Sequence, residues 1–300
     1  MDSFVYEALP ARIVFGPGRL STLPEEIDRL DRRRALVITT PGRRDQGDAL
    51  ASLIGKRCAG VFNNATMHVP VHVVDEAHAL AESAGIDCLV SIGGGSTTGL
   101  AKALALRADL PIVAIPTTYA GSEMSTIWGL TENGIKRTGK DRRVLPATVI
   151  YDPELTLSLP PAVAGPSGVN ALAHCVEALY SVDANPVTSL IAEEGIRALS
   201  HSLPTVVNAP HDKQARAEAL YGAYLSGTAL GAVGMALHHK LCHTLGGSFN
   251  LPHAEVHTII LPYATRYNSE AAADAMERIR RAMGTDDAAH GLYELNHAVG

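Results

Sequence analysis

Residues 88–106 read CLVSIGGGSTTGLAKALAL, and this stretch decides the fold. Cys88–Ile92 is a short apolar run of the kind that fills a strand buried on both faces, while Thr98–Leu106 carries good helix formers. Between them, Gly93-Gly94-Gly95-Ser96 lets the backbone approach a ligand closely. The helix start beyond it directs N–H groups and partial positive charge outward. Such a loop is either a tight βα turn or a seat for phosphate. It is neither G-x-G-x-x-G nor a P-loop, so the local string leaves both readings open.

The same alternation extends to either side. Ala35–Thr40 reads as a buried strand followed by a loop at Pro41-Gly42, 48–55 as helix and Val61-Phe62 as the start of a strand. Residues 74–84 read as a helix with an acidic first turn at Asp75-Glu76, and Ile112–Ile115 as a strand ended by Pro116. This order predicts a parallel sheet covered on both faces by helices. A second loop, PTTYAGSE at 116–123, follows the next strand with clustered hydroxyls. Loops at the carboxyl ends of neighbouring strands converge, so two of them favour dinucleotide binding over plain turns. No acid closely follows Thr39-Thr40, and Arg43 and Arg44 lie just beyond, which leaves NAD and NADP both open.

After Tyr151-Asp152-Pro153 the pattern changes to long helical stretches at 168–181, 186–199, 213–245 and 270–283. The expected fold is an α/β dinucleotide-binding domain over 1–158, a parallel sheet with helices on both faces, joined near Pro160-Pro161 to an all-α domain over 159–300. The halves also differ in composition. Net charge is +1 over 1–150 and −7 over 151–300, and only His68, His72 and His78 of the 13 histidines lie in the first half. The overall charge of −6 supplies no basic field for a polyanion, which argues against nucleic acid. No long apolar run or leader-like N-terminus is evident, so a cytoplasmic chain with no membrane partner is expected. Cys58, Cys88, Cys175 and Cys242 are scattered without a C-x-x-C pair, as reduced thiols would be.

The histidines of the second half form a pattern. Asn170 and His174 share a helix face by their spacing of four, and His239 and His243 repeat it. His253 follows Pro252 beyond the Gly246-Gly247 break, and His257, four further on, is placed to face the same cavity. His238 points about 100° away from His239 and falls outside the set. His201, His211, His290 and His297 read as structural or solvated. Imidazoles suit zinc or iron, yet Asn170 is a neutral amide, and no anionic ligand offsets a divalent charge. Glu177, one turn beyond His174, gives no sign in the sequence of turning inward. The cluster therefore reads as one for catalysis and anion binding, without a strongly held metal.

Together these motifs resemble the iron-containing alcohol dehydrogenase superfamily, and within it the maleylacetate reductase branch, from Tyr6 to Gly300. The resemblance implies a dehydroquinate synthase-like fold. GGGS at 93–96 looks like the family's cofactor loop, with Gly99 where the dehydrogenases usually carry an aspartate and Lys102 as the family's lysine. Asp152-Pro153-Glu154-Leu155 matches the domain-junction motif. By motif, the family's metal-binding histidines fall on His174, His239 and His253, its metal-binding aspartate on Asn170, and its active-site histidine on His243. Implied cofactor contacts are Thr40, Gly94, Gly95, Ser96, Thr117, Thr118, Tyr119, Ser122, Thr126 and Lys136; Lys136 belongs to a basic segment with Arg137, Lys140, Arg142 and Arg143.

The implied activity is NADH- or NADPH-dependent reduction of the conjugated C=C bond of the dicarboxylate maleylacetate to 3-oxoadipate, in breakdown of resorcinol, hydroxyquinol or chloroaromatics. No metal is expected. His243 would be the general acid, with His174, His239 and His253 binding keto or carboxylate oxygens. A metal-dependent alcohol or polyol dehydrogenase of the same superfamily is the main alternative. A dehydroquinate synthase-type lyase is more distant, and a decayed nucleotide-binding protein is opposed by the intact His243. The resemblance further implies a homodimer, and a chain cut short at its C-terminus, since family members continue through more helices.

Overall fold

The computed structural model describes residues 4–9 and 11–300. They form two compact units: one of 11–118 and 122–153, the other of 4–9, 119–121 and 154–300. No single cut in the chain separates them, because 119–121 belongs with the helical unit.

The first unit is built on β1 (Arg12–Phe15), β2 (Ala35–Ile38), β3 (Cys58–Phe62), β4 (Cys88–Gly93), β5 (Ile112–Pro116) and β8 (Thr148–Tyr151). All pairings in this sheet are parallel, in the order β1-β8-β5-β4-β2-β3. Every residue of β2, β5 and β8 is buried, which is why β2 and β5 read as apolar runs. Helices α1 (Leu23–Arg29), α2 (Arg44–Ile54), α3 (Val71–Ser83) and α4 (Gly95–Ala108) connect them. Strand order reverses between β2 and β4, so the loops after Ile38 and Gly93 flank a topological switch point. Gly93 pairs with Pro116, which starts both candidate cofactor loops at one level of the sheet.

Two details differ from expectation here. Helix α3 begins at Val71 behind the N-cap Pro70, so Asp75-Glu76 is not its first turn; Asp75 instead pairs with Arg107 at 2.7 Å. The basic segment at 136–143 belongs to an antiparallel hairpin of β6 (Ile127–Glu132) and β7 (Ile135–Lys140) and the turn after it. Arg137 pairs there with Glu132 at 3.1 Å and Arg143 with Asp141 at 2.7 Å.

The helical unit contains α5 (Pro161–Leu179), α6 (Pro186–Asn208), α7 (Lys213–Ala232), α8 (Leu237–Phe249), α9 (His253–Asn268), α10 (Ala273–Met283) and α11 (Ala288–Val299). Helix α5 is its axis, buried at every residue from Ala164 to Leu179. Glycines let its neighbours approach: a Cβ on Gly195 of α6 would lie 2.6 Å from Cys175 Sγ, and one on Gly222 of α7 would lie 2.7 Å from Leu199 Cγ. Asn185, Asp212 and Asp287 cap α6, α7 and α11 through their side-chain oxygens.

The stretch expected as one helix over 213–245 is two helices, α7 and α8, bent by 97°. At the break, Val233 is extended, Gly234 N–H donates to Asp183 Oδ2 at 2.9 Å, and Gly234 O accepts from Ser181 Oγ at 2.8 Å. Helix α8 continues through Gly246-Gly247 and stops at Asn250, in the left-handed region at φ 51°. The break before His253 is thus at 250–252 and not at the glycine pair. Among the described residues, no single helix is long and apolar enough to cross a membrane.

Candidate active site

Gly93 and Gly94 hold places in the loop where a side chain would be strained or crowded. Gly93 has φ 142°, and a Cβ on Gly94 would sit 3.0 Å from both Thr118 Cγ2 and Thr118 Oγ1. Thr117 N–H donates to Gly93 O at 2.9 Å, and Thr97 Oγ1 donates to Gly94 O at 3.0 Å. A Cβ on Gly95, the first residue of α4, would meet nothing within 4 Å. Gly94, Gly95, Ser96, Thr117 and Thr118 are therefore assembled at a helix N-terminus with open space beyond, a fit for pyrophosphate. Thr40 lies after β2, across the switch point, where its carbonyl accepts from Arg43 N–H at 3.0 Å.

Buried Lys102 on α4 fixes the segment after this loop. Its Nζ donates to the carbonyls of Ser122, Ser125 and Ile127 at 2.7, 2.7 and 2.8 Å. Burial pushes the ammonium down to about 7, while nearby Glu123 works to raise it. Burial raises the Glu123 carboxyl in turn, and Tyr151 OH donates to it at 2.7 Å. Ser122 and Thr126 are thus held by α4. Lys136 sits exposed on β7 and lies across β6, its Cε 3.5 Å from where a Cβ on Gly129 would be. Gly99 has a local reason as well: a Cβ there would lie 2.7 Å from Cγ2 of buried Val69, so the family's usual aspartate has no room.

Tyr119 packs into the helical unit. Its side chain is fully buried within the helical unit, its hydroxyl 3.3 Å from Arg216 Nη1 and its N–H donating to Ser167 Oγ at 3.1 Å.

The histidine cluster lies in the helical unit. Asn170 and His174 come from α5, His238, His239 and His243 from α8, and His253 and His257 from the start of α9. Ring centroids are 5.0 Å apart for His174–His239, 4.7 Å for His239–His257, 4.4 Å for His253–His257 and 6.1 Å for His243–His253. The cluster has a closed end and an open one: His238, His257 and Glu177 are fully buried, whereas His243 and His253 are exposed.

Two residues that the sequence placed outside belong to the closed end. His238 Nε2 is 2.9 Å from His257 Nδ1, so it lies within the cluster despite its angle on the helix, because α8 is packed against α9. Glu177 turns inward. Its carboxylate accepts from the N–H groups of Ala236 and His238 at 3.0 and 2.7 Å, capping α8, and Oε2 lies 2.5 Å from His239 Nδ1. Glu177 shares the i, i+4, i+7 stripe with Asn170 and His174, a signal that was available in the sequence.

Burial and the neighbouring imidazoles push His238 and His239 down to about 3, and His174 and His257 also lie below the usual histidine range. These rings are neutral at pH 7. Among the described residues, four buried atoms of the cluster have no hydrogen-bond partner: Asn170 Oδ1, His174 Nδ1, His239 Nε2 and His257 Nε2. Orphaned polar groups of this kind mark a place that receives a polar ligand. His238, His239 and His257 also offer nitrogens within 4.8 Å of one another. What the set lacks is the carboxylate ligand of the family's metal site, since Asn170 stands in its place. Every available ligand atom is neutral, and Glu177 is engaged with His239 and backbone amides rather than facing the site.

Residues 10–153 match the family model of iron-containing alcohol dehydrogenases, and residues 165–300 that of the Fe-containing alcohol dehydrogenase family C-terminal region. The chain belongs to the iron-containing alcohol dehydrogenase family and is an oxidoreductase. It is 56% identical over 300 residues to a maleylacetate reductase of Burkholderia cepacia, covering 100% of this chain and 85% of that one. The crystal structure of maleylacetate reductase from Agrobacterium tumefaciens superposes with a TM-score of 0.98 at 53% identity, and that from Rhizobium sp. strain MTP-10005 with 0.97 at 53%. Each match covers 100% of this chain and 85% of the other.

Proposed function

We propose that this protein is a maleylacetate reductase, reducing the C=C bond conjugated to the ketone of maleylacetate with NADH or NADPH to give 3-oxoadipate. The observation that carries the reading is the buried, neutral polar cluster with Asn170 where the family's aspartate would stand, in a chain 50–56% identical to maleylacetate reductases. Nicotinamide, when bound, supplies the hydride to the alkene carbon β to the ketone. The alkene electron pair then moves onto the ketone oxygen as an enolate, and a proton added to the α carbon restores the carbonyl.

The protein's part is to hold the enolate and deliver that proton. His243, at the open end, is the general acid. While the Nδ1 hydrogen of His239 is engaged with Glu177, its Nε2 cannot donate to an oxygen, so His174, His253 and His257 supply the hydrogen bonds to the keto and carboxylate oxygens. Gly94, Gly95, Ser96, Thr117, Thr118, Ser122, Thr126, Lys136 and Thr40 hold the dinucleotide. No metal takes part in this scheme. The enzyme acts in the cytoplasm as a homodimer on a small dicarboxylate.

The test is NADH and NADPH oxidation with maleylacetate, with 3-oxoadipate identified as product, set beside the same assay with simple aldehydes and polyols. Turnover of maleylacetate alone supports the reading. Turnover of alcohols or aldehydes in its place would transfer the chain to the dehydrogenases of its family.

A further inference from the structure

The closed end of the cluster holds two imidazoles whose inner nitrogens are free and whose outer nitrogens are each held by a different kind of partner. His239 Nδ1 lies 2.5 Å from Glu177 Oε2, and His257 Nδ1 lies 2.9 Å from His238 Nε2. A carboxylate only accepts, so the Nδ1 of His239 carries the hydrogen and its Nε2 presents a lone pair inward. The His238–His257 contact admits either direction by itself. The facing ring decides it. The rings of His239 and His257 have centroids 4.7 Å apart and both Nε2 atoms are buried, so beside the lone pair on His239 Nε2 a second lone pair on His257 Nε2 would be repelled, whereas an N–H there is attracted. His238 then donates from Nε2, His257 accepts at Nδ1, and His257 Nε2–H points inward.

We infer that Glu177 and His238 are positioning residues that fix opposite tautomers, making His239 an acceptor and His257 a donor on the same wall of the active site. The pair is built to receive a group with an acceptor and a donor side by side, such as a keto or carboxylate oxygen beside a water or protonated carboxyl. Each partner is itself anchored. Glu177 also accepts from the N–H groups of Ala236, His238 and His239, and His238 is fully buried with Cys242 Sγ 3.6 Å from its Nε2. The inference deepens the proposed active site and rests on that reading, but its primary readout needs no turnover.

Histidine ring nitrogens of the 15N-labelled full chain, observed by NMR at pH 7.5, test it directly. His239 is expected with hydrogen on Nδ1 and His257 with hydrogen on Nε2; the same tautomer on both rings would overturn the inference. In Glu177→Gln, an amide oxygen kept on His238 N–H turns the N–H₂ toward His239 Nδ1 at the loss of the Ala236 N–H bond, so the Nδ1–H tautomer loses its acceptor and Nε2–H should appear. An unswitched ring would contradict the role of Glu177. His238→Phe should leave His257 a mixture of tautomers, and His238→Gln, whose amide nitrogen replaces the donor, should restore Nε2–H. If Glu177→Gln fails to fold, the His238 pair and the parent spectrum still decide. With maleylacetate as substrate, kcat should fall about 10- to 100-fold in Glu177→Gln and His238→Phe and recover in His238→Gln, with KM for NADH unchanged. Correct tautomers in a protein that does not turn over maleylacetate would sink the proposed function and leave this inference standing.

Discussion

Glu177 Oε2 lies 2.5 Å from His239 Nδ1, joining the axial helix of the helical unit to the helix that follows the 97° bend. The same carboxylate caps that second helix, so the bend between α7 and α8 and the orientation of His239 share one origin.

The open end of the cluster is where a proton donor can meet substrate, and His243 stands there. Replacing it in His243→Ala should lower kcat by about 10²- to 10⁴-fold while leaving NADH affinity unchanged. Steady-state rates and a cofactor titration check this, and a rate near that of the parent would remove His243 from the role.

Lys102 has three backbone carbonyls on its ammonium. Lys102→Met leaves them buried without donors and should cost roughly 3–5 kcal/mol of stability. It should also weaken NADH binding, since the 122–127 segment loses its anchor. Urea unfolding and fluorescence titration measure the two effects, and unchanged values of both would refute the anchoring role.

Tyr119→Phe separates the two views of that residue. Its hydroxyl meets Arg216 in the helical core, so the substitution should cost about 0.5–1.5 kcal/mol of stability and leave NADH affinity within error of the parent. A large loss of affinity with stability intact would restore Tyr119 to the cofactor site.

Much of this architecture is legible in the sequence, and the reasons for the exceptions are physical. Strands such as β2 and β4 announce themselves because burial on both faces demands unbroken apolar runs. The 213–245 stretch is helical in composition throughout, and nothing local breaks it. The break comes from Asp183, Ser181 and Glu177, which are distant in sequence and satisfy the backbone of 234–238. The angle of His238 on one helix points it away from His239, but α9 packs beside α8 and brings His257 to it. Tyr119 sits in a cofactor-like string, but Gly121 and its neighbours pack in the helical unit, and only tertiary contacts with Ser167 and Arg216 reveal it.

The neutral buried histidines set a direction for acid stability. His238 and His239 lie near 3 in the folded chain against an ordinary 6.5, with His174 and His257 also lowered. The unfolded chain therefore binds more protons below about pH 6.5, and stability is complete above that value and lost as pH falls toward 3. Each such ring contributes a slope of up to about 1.4 kcal/mol per pH unit. Urea midpoints should hold from pH 7 to 8 and fall between 6.5 and 5, more gently in His238→Phe. A flat profile down to pH 5 would mean that these rings are not buried neutral.

In the proposed mechanism, NADH reduces maleylacetate at a histidine cluster with Asn170 in the aspartate position and no metal. The most direct test is the rate of NADH oxidation by maleylacetate on protein stripped of metal, with metal content measured on the same sample, before and after addition of zinc or iron(II). Full turnover is expected in the stripped protein, with no gain from either ion. A stripped protein that is inactive until metal is restored would contradict it.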